Sequence, residues 1–161
     1  MGEEENSPKV LVKKFYALQE ERVQTYNWFE DGFTAYLKGA PNYNFPMYRN
    51  LVNEITKAFQ GVSQEIICIE KKLTESYQLP MLSSLIRKIQ EVEKKKLEVT
   101  AQLQIARQNE IDQPTSDYSE EAQELKQKIA ESIESINELM EELKYESEDL
   151  YNTDNGADED G

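Results

Sequence analysis

The chain has 161 residues, 38% of them hydrophobic and 31% charged, with a formal net charge of −14, a length that fits one domain. It holds no histidine and one cysteine, which excludes serine–histidine and cysteine–histidine catalysis, zinc sites built on histidine or Cys-x-x-Cys pairs, and any disulfide within this sequence. Scarce Gly and Pro beside abundant charge favour long amphipathic helices over sheet, and no stretch approaches the roughly 18–20 apolar residues that a membrane-spanning helix needs.

Residues 1–8 open with Gly2-Glu3-Glu4-Glu5, acidic where a secretory signal would be basic. They are expected to form a disordered acidic segment on a protein of the nucleus or cytoplasm. A first helix is expected over about 9–38, because Leu11, Phe15, Leu18, Phe29, Phe33 and Tyr36 recur at three- and four-residue steps, with Arg22 and Tyr26 in the same stripe. The Glu20-Glu21-Arg22 run reads as an ion pair, exposed or partly buried, or as a partner contact.

Between this helix and the next lies Pro41-Asn42-Tyr43-Asn44-Phe45-Pro46-Met47-Tyr48-Arg49. A connector that only reversed the chain would be polar and Gly-rich, whereas each of these rings removes on the order of 150–250 Å² from water when packed. The loop is therefore expected to be folded and docked. Two readings fit it: Tyr43, Phe45 and Tyr48 cover the open end of a helical hairpin, with Arg49 on loop carbonyls or a ring, or the same residues form a protein-binding surface of hot-spot composition. Both hold if the inner face is buried and the outer face meets a partner. Trp28 is a further protein-binding candidate, expected to cap the core or fill an interface.

The second helix, about 46–78, begins at Pro46, which suits a first turn, and carries the stripe Leu51, Ile55, Ala58 or Phe59, Val62, Ile66, Ile69, Leu73 and Tyr77. Gly61 should weaken it by about 1 kcal/mol relative to Ala unless another helix packs there. Cys68, in Ile66-Ile67-Cys68-Ile69, is expected to be a buried, inert thiol. A third helix over about 80–109 carries Leu82, Leu85, Ile86, Ile89, Val92, Leu97, Val99 and Leu103. A fourth over about 117–150, opened by an Asp117/Glu120 capping pattern, keeps near-heptad spacing through Ala122, Leu125, Ile129, Ile136, Leu139 or Met140 and Leu143, with Ser132 and Ile133 sharing one step. Residues 151–161 read as a disordered acidic tail. Four helical patterns joined by short breaks give an all-α fold, an elongated antiparallel bundle. The alternative is a pair of coiled-coil hairpins that associate through open stripes as a homo-oligomer.

Gln19-Glu20-Glu21-Arg22, Phe29-Glu30-Asp31-Gly32, Tyr36-Leu37, the Pro41-x-Tyr43-x-Phe45-Pro46-x-Tyr48-Arg49 segment and Val52-x-Glu54-Ile55-Thr56-x-Ala58-Phe59 resemble the required-for-excision B-domain family, chiefly over residues 10–70. The resemblance implies a small non-catalytic helical protein associated with DNA excision repair, and it brings no active-site residues with it.

Charge is divided along the chain. Residues 9–114 carry 15 Lys or Arg against 13 Asp or Glu, while residues 115–150 carry 3 against 12. Phosphate binding rests on clustered cations, and the cluster present is Arg87-Lys88 with Lys94-Lys95-Lys96. It is read as a solvated face exchanging ion pairs with neighbouring glutamates, with nucleic-acid contact as the alternative. The acidic steps of the last helix lack the Glu-x-x-His pattern of a di-metal bundle site, and no Gly-rich phosphate loop occurs. The reading is thus an adaptor or scaffold without enzymatic activity or cofactor, acting through protein partners and not at a membrane, and the family resemblance implies repair factors among those partners. Its alternative is a structural coiled-coil subunit of a cytoskeletal or other large assembly.

Overall fold

The computed structural model of the protein describes residues 7–114 and 118–160, with side chains as far as Tyr151. Four helices follow in chain order: α1, Pro8–Leu37; α2, Phe45–Glu75; α3, Pro80–Asp112; and α4, Tyr118–Asp160. There is no strand among the described residues. The helix starts follow local chemistry. Ser7 accepts a hydrogen bond from the Val10 N–H at 3.3 Å, Asn44 accepts one from the Met47 N–H at 3.2 Å, and Pro8, Pro46 and Pro80 each occupy a first-turn position where no N–H is required. Between α2 and α3 the chain reverses at Gln78, whose φ of 54° is left-handed, and the Leu79 N–H donates to the Leu73 carbonyl. The Asp117 cap and residues 1–6 lie outside the described residues, and α4 is bounded beyond position 150, where its end was expected.

Sequential helices run antiparallel, as their shared core shows. The N-terminal half of α1 (Leu11, Phe15, Leu18), the C-terminal half of α2 (Val62, Ile66, Ile69, Leu73), the start of α3 (Leu82, Ile86, Ile89) and the later part of α4 (Ile136, Leu143) form one buried cluster. At this end all four apolar stripes close on one another. At the other end the core divides: Phe29, Ile55 and Phe59 pack with Leu97 of α3, while Val99 and Ala106 of α3 pack with Ala122 and Leu125 of α4. There α3 stands between the α1/α2 hairpin and α4. With about 30 residues per helix at 1.5 Å rise, the bundle is roughly 45 Å long. Among the described residues, Ala122 and Leu125 of the α4 stripe pack on α3, and Ile136 and Leu143 join the four-helix core.

Gly32 of α1 leaves room for the Leu51 side chain of α2, since a Cβ at that position would stand 2.5 Å from Leu51 Cδ2. Gly61, by contrast, has open space where a Cβ would be, so its helix-weakening effect is not offset by a close-packed neighbour. Cys68 is exposed, contrary to the expectation of a buried thiol. Within Ile66-Ile67-Cys68-Ile69 only the residues three apart, Ile66 and Ile69, share the core face, and Ile67 and Cys68 turn outward.

Candidate functional site

The aromatic connector is docked as a unit on the C-terminal part of α3. Its centre is Tyr36 in the last turns of α1, 3% exposed. The Tyr36 ring stacks on Tyr48 with centroids 4.5 Å apart and planes 24° apart, and lies 4.9 Å from Tyr43. Phe45 meets it edge-on at 6.1 Å, while Phe33 stands beside both Tyr36 and Tyr48. These distances are within the range in which aromatic pairs add to their area burial.

Three hydroxyls then fasten the rings to one face of α3. Tyr48 donates to Gln104 Oε1 at 2.6 Å, Tyr36 to Gln108 Oε1 at 3.2 Å, and Tyr43 to Asp112 Oδ1 at 2.7 Å. Gln104, Gln108 and Asp112 stand at four-residue steps, so their side chains line up along the helix. Arg107 closes the flank, with its guanidinium 4.9 Å from the Phe33 centroid and Nη1 donating to Glu30 Oε1 at 2.6 Å. Burial, first of all, pushes the Tyr36 and Tyr48 hydroxyls above the ordinary tyrosine value.

Tyr43 differs in cause. The hydrogen bond it donates to Asp112 is the foremost reason its pKa is pushed up to about 12 from 10.0. Because the folded value is raised, the stabilisation linked to this proton is complete below pH 10.0 and is lost as pH rises through about 12. Ultraviolet difference titration is expected to show a late-ionising tyrosine that moves to lower pH in Asp112→Asn. An identical titration in that variant would remove the carboxylate as the cause.

The outer face of the connector is open. Phe45 is 57% and Met47 49% exposed, and Phe45, Pro41 and Ile111 border a shallow concavity of about 670 Å³. Arg49 is exposed and has no partner among the described residues, contrary to the expectation that it would bond loop carbonyls or stack. It lies off the α2 stripe whose buried members begin at Ile55. Trp28 is not part of this group. It is 48% exposed rather than capping the core, because the buried stripe of α1 runs through Thr25 and Phe29, and it walls a depression with Lys57, Ala58 and Gly61.

The basic residues of α3 are divided among several directions by helical geometry. Arg87 reaches across to Glu70 of α2 at 3.2 Å. Lys96 is half-buried with Nζ 4.0 Å from the Tyr26 centroid, and burial foremost lowers its pKa. Lys88, Lys94 and Lys95 are exposed. The five cations therefore form no single face. Among the described residues, no group of three or more metal-ligating side chains stands close enough to hold an ion.

Fold and site together define an all-α bundle whose most elaborated feature is a tyrosine-locked connector with an open apolar and cationic outer face. The sequence profile described as DNA repair REX1-B matches residues 10–107. The required for excision 1-B domain-containing protein of Bos taurus is 33% identical over 138 residues, covering 86% of this chain and 76% of that protein. Its counterpart of the same name in Mus musculus is 31% identical over 138 residues, covering 86% and 80%. No solved structure matches the chain. The chain belongs to the DNA repair REX1-B family, which ties it to DNA repair.

Proposed function

We propose that this protein is a non-catalytic helical adaptor of nuclear DNA excision repair, and that the outer face of its aromatic connector is a contact surface for a protein partner. The observation that carries the reading is the exposure of Phe45 and Met47 beside the unpaired Arg49, on a segment whose inner rings are fixed by Tyr36 and by three hydrogen bonds to α3. Aromatic side chains and Arg are the groups in which binding energy concentrates, and a surface held in place before binding loses less entropy on association. Family membership supplies the link to repair. The divided basic residues and the net charge of −14 argue for protein rather than phosphate as the principal contact.

The test is co-purification of the tagged full chain from cells that express it, beside a Phe45→Ala/Arg49→Ala variant shown by circular dichroism to remain folded. Repair factors are expected with the wild type and at several-fold lower recovery with the variant. Equal recovery would remove the connector as the contact surface. Cytoskeletal components in place of repair factors would overturn the adaptor reading itself.

A further inference from the structure

The α1/α2 hairpin carries a depression of about 650 Å³ lined by these two helices alone. Glu21, Gln24 and Trp28 share one face of α1 at three- and four-residue steps, and Lys57, Gly61 and Glu65 share one face of α2 at four-residue steps. The antiparallel run that sets Gly32 against Leu51 places Trp28 beside Lys57 and Glu21 beside Glu65. Between these two ends lies Gly61, where a Cβ would meet nothing within 4 Å, so the floor is open backbone. The Trp28 ring is 48% exposed at one end, and Glu21 and Glu65 are exposed at the other. Phe15, Phe29, Phe33 and Tyr36 of the same helix are buried, and tryptophan is among the side chains in which binding energy concentrates.

Charge decides what the depression can hold. Lys57 already pairs with Glu54 of its own helix at 3.8 Å, while Glu21 and Glu65 have no ion pair among the described residues. The stretches that form the depression are acidic, unlike residues 9–114 as a whole. Residues 20–31 carry four Asp or Glu against Arg22, which is buried and turned to Gln19, Ser63 and Gln90, and residues 54–65 carry two Glu against Lys57. A cation is therefore favoured over an anion, and an indole face beside carboxylates favours one kind of cation. A guanidinium is planar, stacks on aromatic rings and donates to carboxylate oxygens through a rigid fork, whereas an ammonium is a compact and strongly hydrated point charge. Placed over Gly61, a guanidinium stands about 6 Å along the helix from the level of Lys57 and equally far from that of Glu65. The indole and both carboxylates reach that position. The charge of −14 on the whole chain favours encounter with a basic partner.

We infer that the Trp28 depression receives an arginine side chain from a basic segment of a protein partner, with the guanidinium over Gly61, stacked on Trp28 and hydrogen-bonded to Glu21 and Glu65. This contact goes beyond the connector's role and does not rest on it.

Trp28 is the single tryptophan of the chain, so its emission reports on the site directly. The probe is a peptide of about nine residues, Gly and Ser with three Arg, and its twin carries citrulline, an uncharged isostere, at the Arg positions. Fluorescence anisotropy of the fluorescein-labelled peptides with the full chain at near-physiological salt is expected to show saturable binding of the Arg peptide alone. The unlabelled Arg peptide is expected to change Trp28 emission over the same concentration range. Glu21→Gln/Glu65→Gln and Gly61→Leu should each weaken binding at least about tenfold, while Phe45→Ala/Arg49→Ala should retain it. Gly61→Leu is the sharper variant, because it keeps every charge, puts a helix former where there is room for one, and fills the floor. Circular dichroism checks that the variants stay folded. No saturable binding, equal binding of the citrulline twin, unchanged Trp28 emission, or unchanged affinity in either depression variant would overturn the inference. So would loss of binding in Phe45→Ala/Arg49→Ala, which would place the peptide on the connector, or a sedimenting dimer that Gly61→Leu dissociates, because a second copy of the chain would then fill the depression.

Discussion

Tyr36→Ala is expected to destabilise the protein by about 3–5 kcal/mol, the range for truncating a fully buried aromatic side chain. The Tyr36 ring contacts Tyr43, Phe45 and Tyr48 of the connector and Phe33 of its own helix, so its removal leaves the connector's rings without their common support. Tyr36→Phe keeps the ring and loses the hydrogen bond to Gln108, a change expected to cost about 1 kcal/mol. Urea unfolding followed by far-ultraviolet circular dichroism gives both values. Near-ultraviolet dichroism should lose intensity in the alanine variant before the helices melt, because the stacked tyrosines lose their fixed geometry. If alanine and phenylalanine cost the same, the stack contributes nothing and the connector is held by its hydroxyls alone.

The helices were legible in the sequence because their signals are local. Three-and-four spacing located the stripes, and Pro46 and Pro80 located two helix starts to within a residue. Long helices joined by short breaks leave few arrangements other than an antiparallel bundle. Which residues of an apolar run face inward is less local. Ile67 and Cys68 share the composition of Ile66 and Ile69 and differ only in phase, and hydrophobicity alone placed Cys68 on the wrong side. The division of the core at the far end, with α3 between α4 and the hairpin, depends on how three stripes share one helix, and no single stripe reveals that.

The candidate site was half visible. Aromatic density in a connector announced Tyr43, Phe45 and Tyr48, but Tyr36 was absorbed into the stripe of α1 as ordinary core, although it is the ring on which the others converge. The α3 partners had a signal of their own. Gln104, Gln108 and Asp112 stand at four-residue steps, which is the pattern of a polar rail, yet only the loop's hydroxyls give that pattern a meaning. Pairings separated by 56 to 72 residues are set by tertiary packing and not by sequence spacing.

Arg22→Ala is expected to cost about 3 kcal/mol or more, the larger part of it from the groups that the side chain leaves behind. Arg22 interrupts the α1 stripe between Leu18 and Phe29 and is 3% exposed. Desolvation is the foremost influence on its pKa and lowers it, and the nearby Glu93 carboxylate is the chief influence raising it. The guanidinium donates to Gln19 Oε1 at 2.6 Å and to Ser63 and Gln90, so one side chain of α1 joins α2 and α3. Truncation leaves those acceptors unpaired, opens a cavity where α1 meets α2 and α3, and removes one of the two cations that act on the buried Glu93, Lys96 being the other. The origin of the cost is separable. Arg22→Met fills much of the volume and retains the buried carboxylate, so it should still destabilise, whereas Arg22→Met/Glu93→Gln should recover a measurable part of the loss even though it carries one more substitution. Chemical denaturation of wild type, both single variants and the double variant closes the cycle. A coupling of at least about 1 kcal/mol is the expected result, and strict additivity would show that Arg22 stabilises the bundle through its hydrogen bonds to Gln19, Ser63 and Gln90 alone.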